Sequence, residues 1–167
     1  MTVFTEGNLR ISFPSGTNAR IFDDASHGLS HCMKAVDFVV DIGHQYLFIE
    51  FKDPDAPGVP ENRREEYLKD FLAGRIDKDL KYKCRDTFLY EWASGRADKP
   101  INYYVIIAID TLTPADLLVR TDALKKNIPL RGPRNAGWTR PFVSGCAVFN
   151  IAAWNKHQRR YPVSRIQ

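Results

Sequence analysis

Nothing in this chain approaches the ~20 consecutive apolar residues of a membrane span, so neither a helical membrane anchor nor a membrane partner is expected. Its first residues, "MTVFTEGNLRISF", lack the basic-then-apolar layout of a secretory leader. Cysteine is scarce: Cys32, Cys84 and Cys146 are odd in number and far apart, so a disulfide framework is not expected. Free thiols suit a reducing compartment, and the expected location is cytoplasmic. No internal repeat or low-complexity tract interrupts the chain. Acid, too, is missing from one end. From Leu117 onward there are ten Lys or Arg against the single carboxylate of Asp122.

At 167 residues, 44% of them hydrophobic and 26% charged, the sequence reads as one globular domain able to bury its own core. The net charge of +4 is unevenly spread, because residues 1–116 hold fourteen bases and nineteen acids. A surface for a polyanion at the C-terminal end and a solvated basic rim are both compatible with that asymmetry.

Along the chain, "NLRISF" reads as a short strand and "DDASHGLSHCMK" as a short helix interrupted by Gly28. Two β-branched and aromatic runs, 35–42 and 45–52, form a hairpin around Gly43-His44. After the Pro-rich "KDPDAPGVP", the apolar period becomes helical. Leu68, Leu72, Ile76, Leu80, Cys84, Phe88 and Trp92 make a stripe from about 61 to 94, with Gly74 expected to bend or split it and Gly95 to end it. "INYYVIIAID" (101–110) is a strand buried on both faces. Thr113, Pro114 and Asp116 open a second helix. "FVSGCAVFN" is another buried strand, and Asn150 caps a last helix, "IAAWNKHQRR", in which Trp154 belongs to the core. This order gives an α/β domain, antiparallel first and with crossover connections after.

Charged residues inside the hairpin are costly unless something pairs with them. With a two-residue turn, Ile42 faces Gln45 and, counting back, Asp37 faces Glu50. Facing Cβ atoms lie roughly 4.5–5.5 Å apart, close enough for two carboxylates to share one hard cation. Lys52 follows on the face of Glu50, about 6.6 Å along the strand, and that face is expected to be solvated. Phe38, Val40, Leu47, Ile49 and Phe51 point the other way, into the core. A simple salt bridge to Lys52, of about 0–1 kcal/mol, leaves two like charges opposite each other unexplained.

Asp37, twelve intervening residues, then Glu50-Phe51-Lys52 resembles the signature of the PD-(D/E)xK nuclease superfamily, although Val36 stands where that family often has proline. The resemblance is close over the hairpin and loose over the following helix, strand and helix. It implies a restriction-endonuclease-like mixed β-sheet flanked by helices, and Mg²⁺- or Mn²⁺-dependent hydrolysis of nucleic acid, with DNA the expected substrate. It further implies that Asp37, Glu50 and the Phe51 carbonyl hold the metal. Asp37, Glu50 and Lys52 would be the catalytic set, Lys52 orienting water or stabilising the transition state, and a homodimer is compatible with the family. A catalytically inactive nucleic-acid-binding or protein-interaction module of the same fold is the alternative.

Asp41 shares the facing of Asp37 but lies near the turn, where stabilising the turn is its expected role. Some superfamily members add a polar side chain from an N-terminal helix, for which Glu6, Asp23, Asp24 and His27 are the candidates. His27, His31 and Cys32 have partial zinc-ligand spacing without a fourth ligand. The Gly/Pro-rich loop with Arg131, Arg134, Trp138 and Arg140, joined by Lys156, Arg159 and Arg160, is the expected nucleic-acid contact. Lys78, Lys81, Lys83 and Arg85 read as the charged outer face of the long helix.

Overall fold

The computed structural model of the chain describes residues 1–135 and 137–166. The hairpin forms where Gly43, at φ +93°, lets the chain reverse. Ile42 N–H donates to the Gln45 carbonyl at 3.1 Å, closing the two-residue turn. Strands β4 (Phe38–Asp41) and β5 (Tyr46–Lys52) then pair from Asp41 with Tyr46 back to Phe38 with Ile49. This register carries Asp37 to the position across from Glu50. β3 (Asn18–Ile21) adds antiparallel to β4, while β6 (Ile101–Ile107) and β7 (Gly145–Phe149) continue the sheet in parallel beyond β5. The result is a five-stranded mixed sheet in the order β3-β4-β5-β6-β7.

Side-chain alternation gives this sheet two buried faces. Val39, Phe48, Tyr103 and Val105 pack with Phe71, Leu80, Cys84 and Leu124 under the helices α1 (Glu61–Leu72), α2 (Asp77–Ala93) and α3 (Pro114–Asn127). Phe38, Val40, Leu47, Ile49 and Phe51 pack on the other face, as the hairpin pattern requires. Their partners are Trp154 of α4 (Ile151–His157) and Leu9, Ile11, Phe13 and Val163. Those last four come from a small antiparallel sheet in the order β1-β2-β8, made of β1 (Thr2–Glu6), β2 (Leu9–Phe13) and β8 (Val163–Arg165). The chain is thus a single α/β domain with a mixed sheet between helices and a second sheet. Among the described residues no helix is long and apolar enough to cross a membrane.

Several local signals act as their chemistry dictates. Thr113 and Asp116 form a reciprocal capping box on α3, and the Asn150 side chain accepts from Ala153 N–H at the start of α4. The long helical stripe divides at Gly74, whose φ of +77° no other residue type adopts cheaply. Gly74 N–H donates to Phe71 O and Arg75 N–H to Asp70 O, a double bond pattern that closes α1. Gly95 ends α2 in the same way.

Other expectations are corrected. Trp92, placed in the stripe, is 59% exposed, and Leu72 is also exposed. A strict four-residue spacing rotates about 40° past a full turn at each step, so a long stripe marches off the buried face. The segment around Gly28 is only a three-residue 3-10 turn, Ala25–His27, so His27 and His31 do not share a helix face. α4 stops at His157, leaving Arg159 and Arg160 beyond it. Strands β1 and β8 carry no clear sequence pattern and form by pairing with β2.

Behind Gly74 lies a buried ion pair between Asp77 and Arg120. A Cβ at Gly74 would meet Arg120 Nη2 at 2.8 Å, whereas one at Gly95 meets nothing within 4 Å. Gly95→Ala therefore bears only the left-handed backbone cost, about 1–2 kcal/mol. Gly74→Ala adds displacement of the Arg120 guanidinium and is expected to lose more in urea unfolding. Equal losses for the two variants would show that the Arg120 pair yields freely.

Candidate active site

The β4–β5 ladder stops at Phe38–Ile49 because the next residues find other partners. Val36 N–H donates to Thr87 Oγ1 of α2 at 3.1 Å, and the Asp37 carbonyl accepts from Phe22 N–H at 2.8 Å. Phe51 N–H, which would have faced Val36, instead donates to Asp37 Oδ2 at 2.5 Å. In an extended strand a residue's N–H and C=O leave on the same edge, so the Phe51 carbonyl also turns toward this opening. Asp37, Glu50 and Phe51 are thereby gathered at one place, at the C-terminal end of the parallel strands. Open α/β sheets commonly bind ligands there.

The face carrying these acids is covered rather than solvated, which corrects the expectation for it. The helices that make the first core lie over it, leaving Glu50 0% and Asp37 4% exposed. Glu50 Oε1 lies 2.6 Å from Lys52 Nζ and 2.9 Å from Lys83 Nζ. Both lysines approach the same oxygen, and Oε2 has no hydrogen-bond partner among the described residues. Lys83 also reaches Asp23 Oδ2 at 3.3 Å. From α1, the buried Tyr67 hydroxyl is likewise without a hydrogen-bond partner among the described residues.

Burial is the dominant electrostatic influence. It pushes Asp37 up to about 8, with the neighbouring charge of Glu50 adding to the effect and the Phe51 N–H opposing it. Glu50 is raised as well, by burial, against the pull of Lys52 and Lys83. For Lys83 burial favours the neutral amine, but attraction to Glu50 and Asp37 outweighs it and holds the side chain charged. Burial, then the charge of Glu50, raises Tyr67 above the ordinary phenol range.

Sequence reasoning missed Lys83, assigning it to the outer face of the helix. It lies three residues after buried Leu80 and four before buried Thr87. That spacing puts it on the rim of the buried stripe, where a long side chain can reach inward. Of the acidic candidates from the N-terminal region, Asp23 is the one that pairs with a lysine of the site, while Glu6 contributes a repulsive charge to Asp37. Asp24 caps the 3-10 turn through Ser26. His27 stacks on Phe22 and accepts from Leu29 N–H. Asp41 holds the turn, accepting from Gly43 N–H at 2.8 Å and pairing with Lys99 at 2.6 Å.

The expected nucleic-acid residues lie elsewhere. Tyr46, at the start of β5, pairs with Ile101, while Glu50 and Lys52 pair with Val105 and Ile107. The loop containing Arg131, Arg134 and Arg140 returns to the Ile101 end, where Ser144 N–H donates to the Ile101 carbonyl and Arg140 bonds the Ala97 carbonyl. Ala136 of that loop lies outside the described residues. Four residues of strand separate that end from the acids and six separate it from Lys52, about 13–20 Å. Arg160 lines a cavity with Asp41 and Gly43 at the hairpin turn, again at the far end, and Lys156 and Arg159 are exposed on and just after α4. These cations are not gathered around Asp37 and Glu50.

Comparison with protein-family models, with curated proteins and with solved structures gives no match.

Without metal, the native state keeps a proton on Asp37 up to about pH 8, whereas the unfolded chain releases it near 3.8. Between those values the native state binds the extra proton, so stability falls as pH rises. Asp37→Asn keeps an acceptor for Phe51 N–H and removes the titration. In chelator-treated protein it is expected to flatten the stability profile between pH 5 and 9. At pH 8.5 it should gain roughly 1–3 kcal/mol over the native sequence. An unchanged slope in urea titrations across that range would exclude Asp37 as its source.

Proposed function

We propose that this protein is a Mg²⁺- or Mn²⁺-dependent nuclease of restriction-endonuclease-like fold, acting in the cytoplasm on phosphodiester bonds of nucleic acid, DNA in the first instance. The observation that carries this reading is the fully buried Glu50, with one carboxylate oxygen unpartnered, set across from Asp37. A buried carboxylate oxygen without a donor costs free energy that a cation would recover. Oxygen ligands of this kind suit a hard divalent ion, so the residues present fit the group.

Asp37, Glu50 and the Phe51 carbonyl would hold the ion. When bound, it would supply a water of lowered pKa and neutralise charge building on the phosphate. Lys52, 27% exposed beside Glu50, would orient that water and stabilise the departing negative charge. Its Nζ lies 2.6 Å from Glu50 Oε1, beside the proposed metal seat. The raised pKa of Asp37 fits a site that awaits a positive partner, since a divalent ion would drive its proton off.

A second reading has its own observation. Lys52 and Lys83 both pair with Glu50 with no metal, as in a retired site of a non-catalytic binding or interaction module. Incubation of plasmid and single-stranded DNA with Mg²⁺ or Mn²⁺ separates the two. The nuclease reading expects cleavage that chelation abolishes. It also expects Glu50→Gln and Lys52→Ala each to lower the rate at least 100-fold with folding retained. No cleavage, with no metal-dependent rise in melting temperature of the unaltered protein, would leave the module.

A further inference from the structure

Lys83 occupies a different position from Lys52. Lys52 extends from the strand that carries Glu50, whereas Lys83 descends from α2 on the covering layer, with only 12% of its side chain exposed. Its ammonium sits 2.9 Å from Glu50 and 3.3 Å from Asp23, and its charge also acts on Asp37. Carboxylates from the segment after β3 and from β5 therefore meet at one nitrogen, whose charge also acts on Asp37 at the edge of β4. Among the described residues no other cation contacts Asp23, and no three acids lie close enough to ligate a metal by themselves. The group that Asp23 and Glu50 share is a lysine.

We propose that Lys83 is the resident counter-cation of the metal seat, and that its ammonium and a divalent ion compete for Glu50. This rests on the metal-site reading above and adds the residue that sets how tightly metal is held. The physical reason is one of space and charge. Glu50 is wholly buried, so its carboxylate must be neutralised in either state. An ammonium on Oε1 and a divalent ion on the unpartnered Oε2 would stand only a few ångströms apart on one buried carboxylate, and their like charges repel. Metal entry therefore weakens the hold of Lys83 on Glu50. Its tie to Asp23 provides somewhere for the ammonium to go, at the exposed side of the site where a phosphodiester would arrive.

The position has a consequence for binding strength. Every metal-binding event must work against the Lys83–Glu50 ion pair, so the apparent affinity is lowered by its presence. Lys83→Met keeps the length and most of the volume of the side chain and removes the charge. Mn²⁺ titration by calorimetry, with metal-dependent melting temperature as the parallel readout, is the test. Nucleic acid is absent, so the result does not depend on turnover. The expected result is at least a tenfold tighter Mn²⁺ dissociation constant in Lys83→Met than in the unaltered protein. That gain should vanish in Lys83→Met/Glu50→Gln. Folding is reported by the same melting curves, and Lys83→Arg, which keeps the charge, is expected to bind Mn²⁺ no tighter than the native sequence.

If Lys83→Met binds Mn²⁺ equally or more weakly while the unaltered protein binds it, the competition is overturned and the metal site stands. Should none of the folded variants bind Mn²⁺, the metal site itself is wrong and the competition falls with it. Tighter binding that survives Glu50→Gln would place the ion elsewhere and would also overturn the proposal.

Discussion

A carboxylate buried at the centre of a sheet must be neutralised, and the arrangement around Glu50 follows from that requirement. The residue sits on β5, between the antiparallel and parallel halves of the sheet, with its side chain under α1 and α2. Apolar packing alone would not place an ionised group there, because desolvation costs several kcal/mol. Two lysines reach the same oxygen from different layers, Lys52 along the strand and Lys83 from the helix. The second of these ties α2 to β5 by charge at a point where apolar contacts surround it. The ladder between β4 and β5 ends one step short of this point, and Asp37 takes over the N–H that the ladder releases. Site and scaffold are thus not separable: the contacts that end the hairpin are the same ones that assemble the acids.

The hairpin was legible in the sequence because its information is local. A two-residue turn at Gly43-His44 fixes the register, and strand alternation then assigns every side chain to a face. The apolar set Phe38, Val40, Leu47, Ile49 and Phe51 lies together as that logic demands. Caps at Thr113 and Asn150, the break at Gly74 and the stop at Gly95 belong to the same class of signal, each contained within five or six residues. What could not be read was the docking of one element on another. Lys83 looks like any charge on a helix until α2 is laid over β5. The face of Glu50 looks wet until the helices cover it. β1 and β8 are too short and too polar to announce themselves, and they exist because β2 offers them edges.

Charge composition was a weaker guide than charge position. The C-terminal third holds most of the basic surplus, which invited a polyanion-binding surface. Part of that surplus is structural. Arg120 is buried against Asp77 beside Gly74, and Arg165 pairs with Asp53 at 2.5 Å while bonding the Ala108 carbonyl at 2.7 Å, joining β8 to the large sheet. Much of what remains exposed, in the loop before β7 and beyond α4, lies toward the opposite end of the sheet from Glu50.

This separation constrains any substrate. A polyanion that touched both ends would have to run along the sheet or over α2, a path of about 13–20 Å by strand rise. If the substrate is nucleic acid as proposed, the far cations could assist a chain long enough to cover that distance but not a mononucleotide. At the carboxylates themselves the positive charge comes from Lys52 and Lys83. Both are engaged with Glu50 and are free to serve a phosphate only insofar as another cation takes their place. On the proposed reading, substrate and cation binding would be coupled through one glutamate, since a metal that neutralised Glu50 would free ammonium groups to meet a phosphodiester.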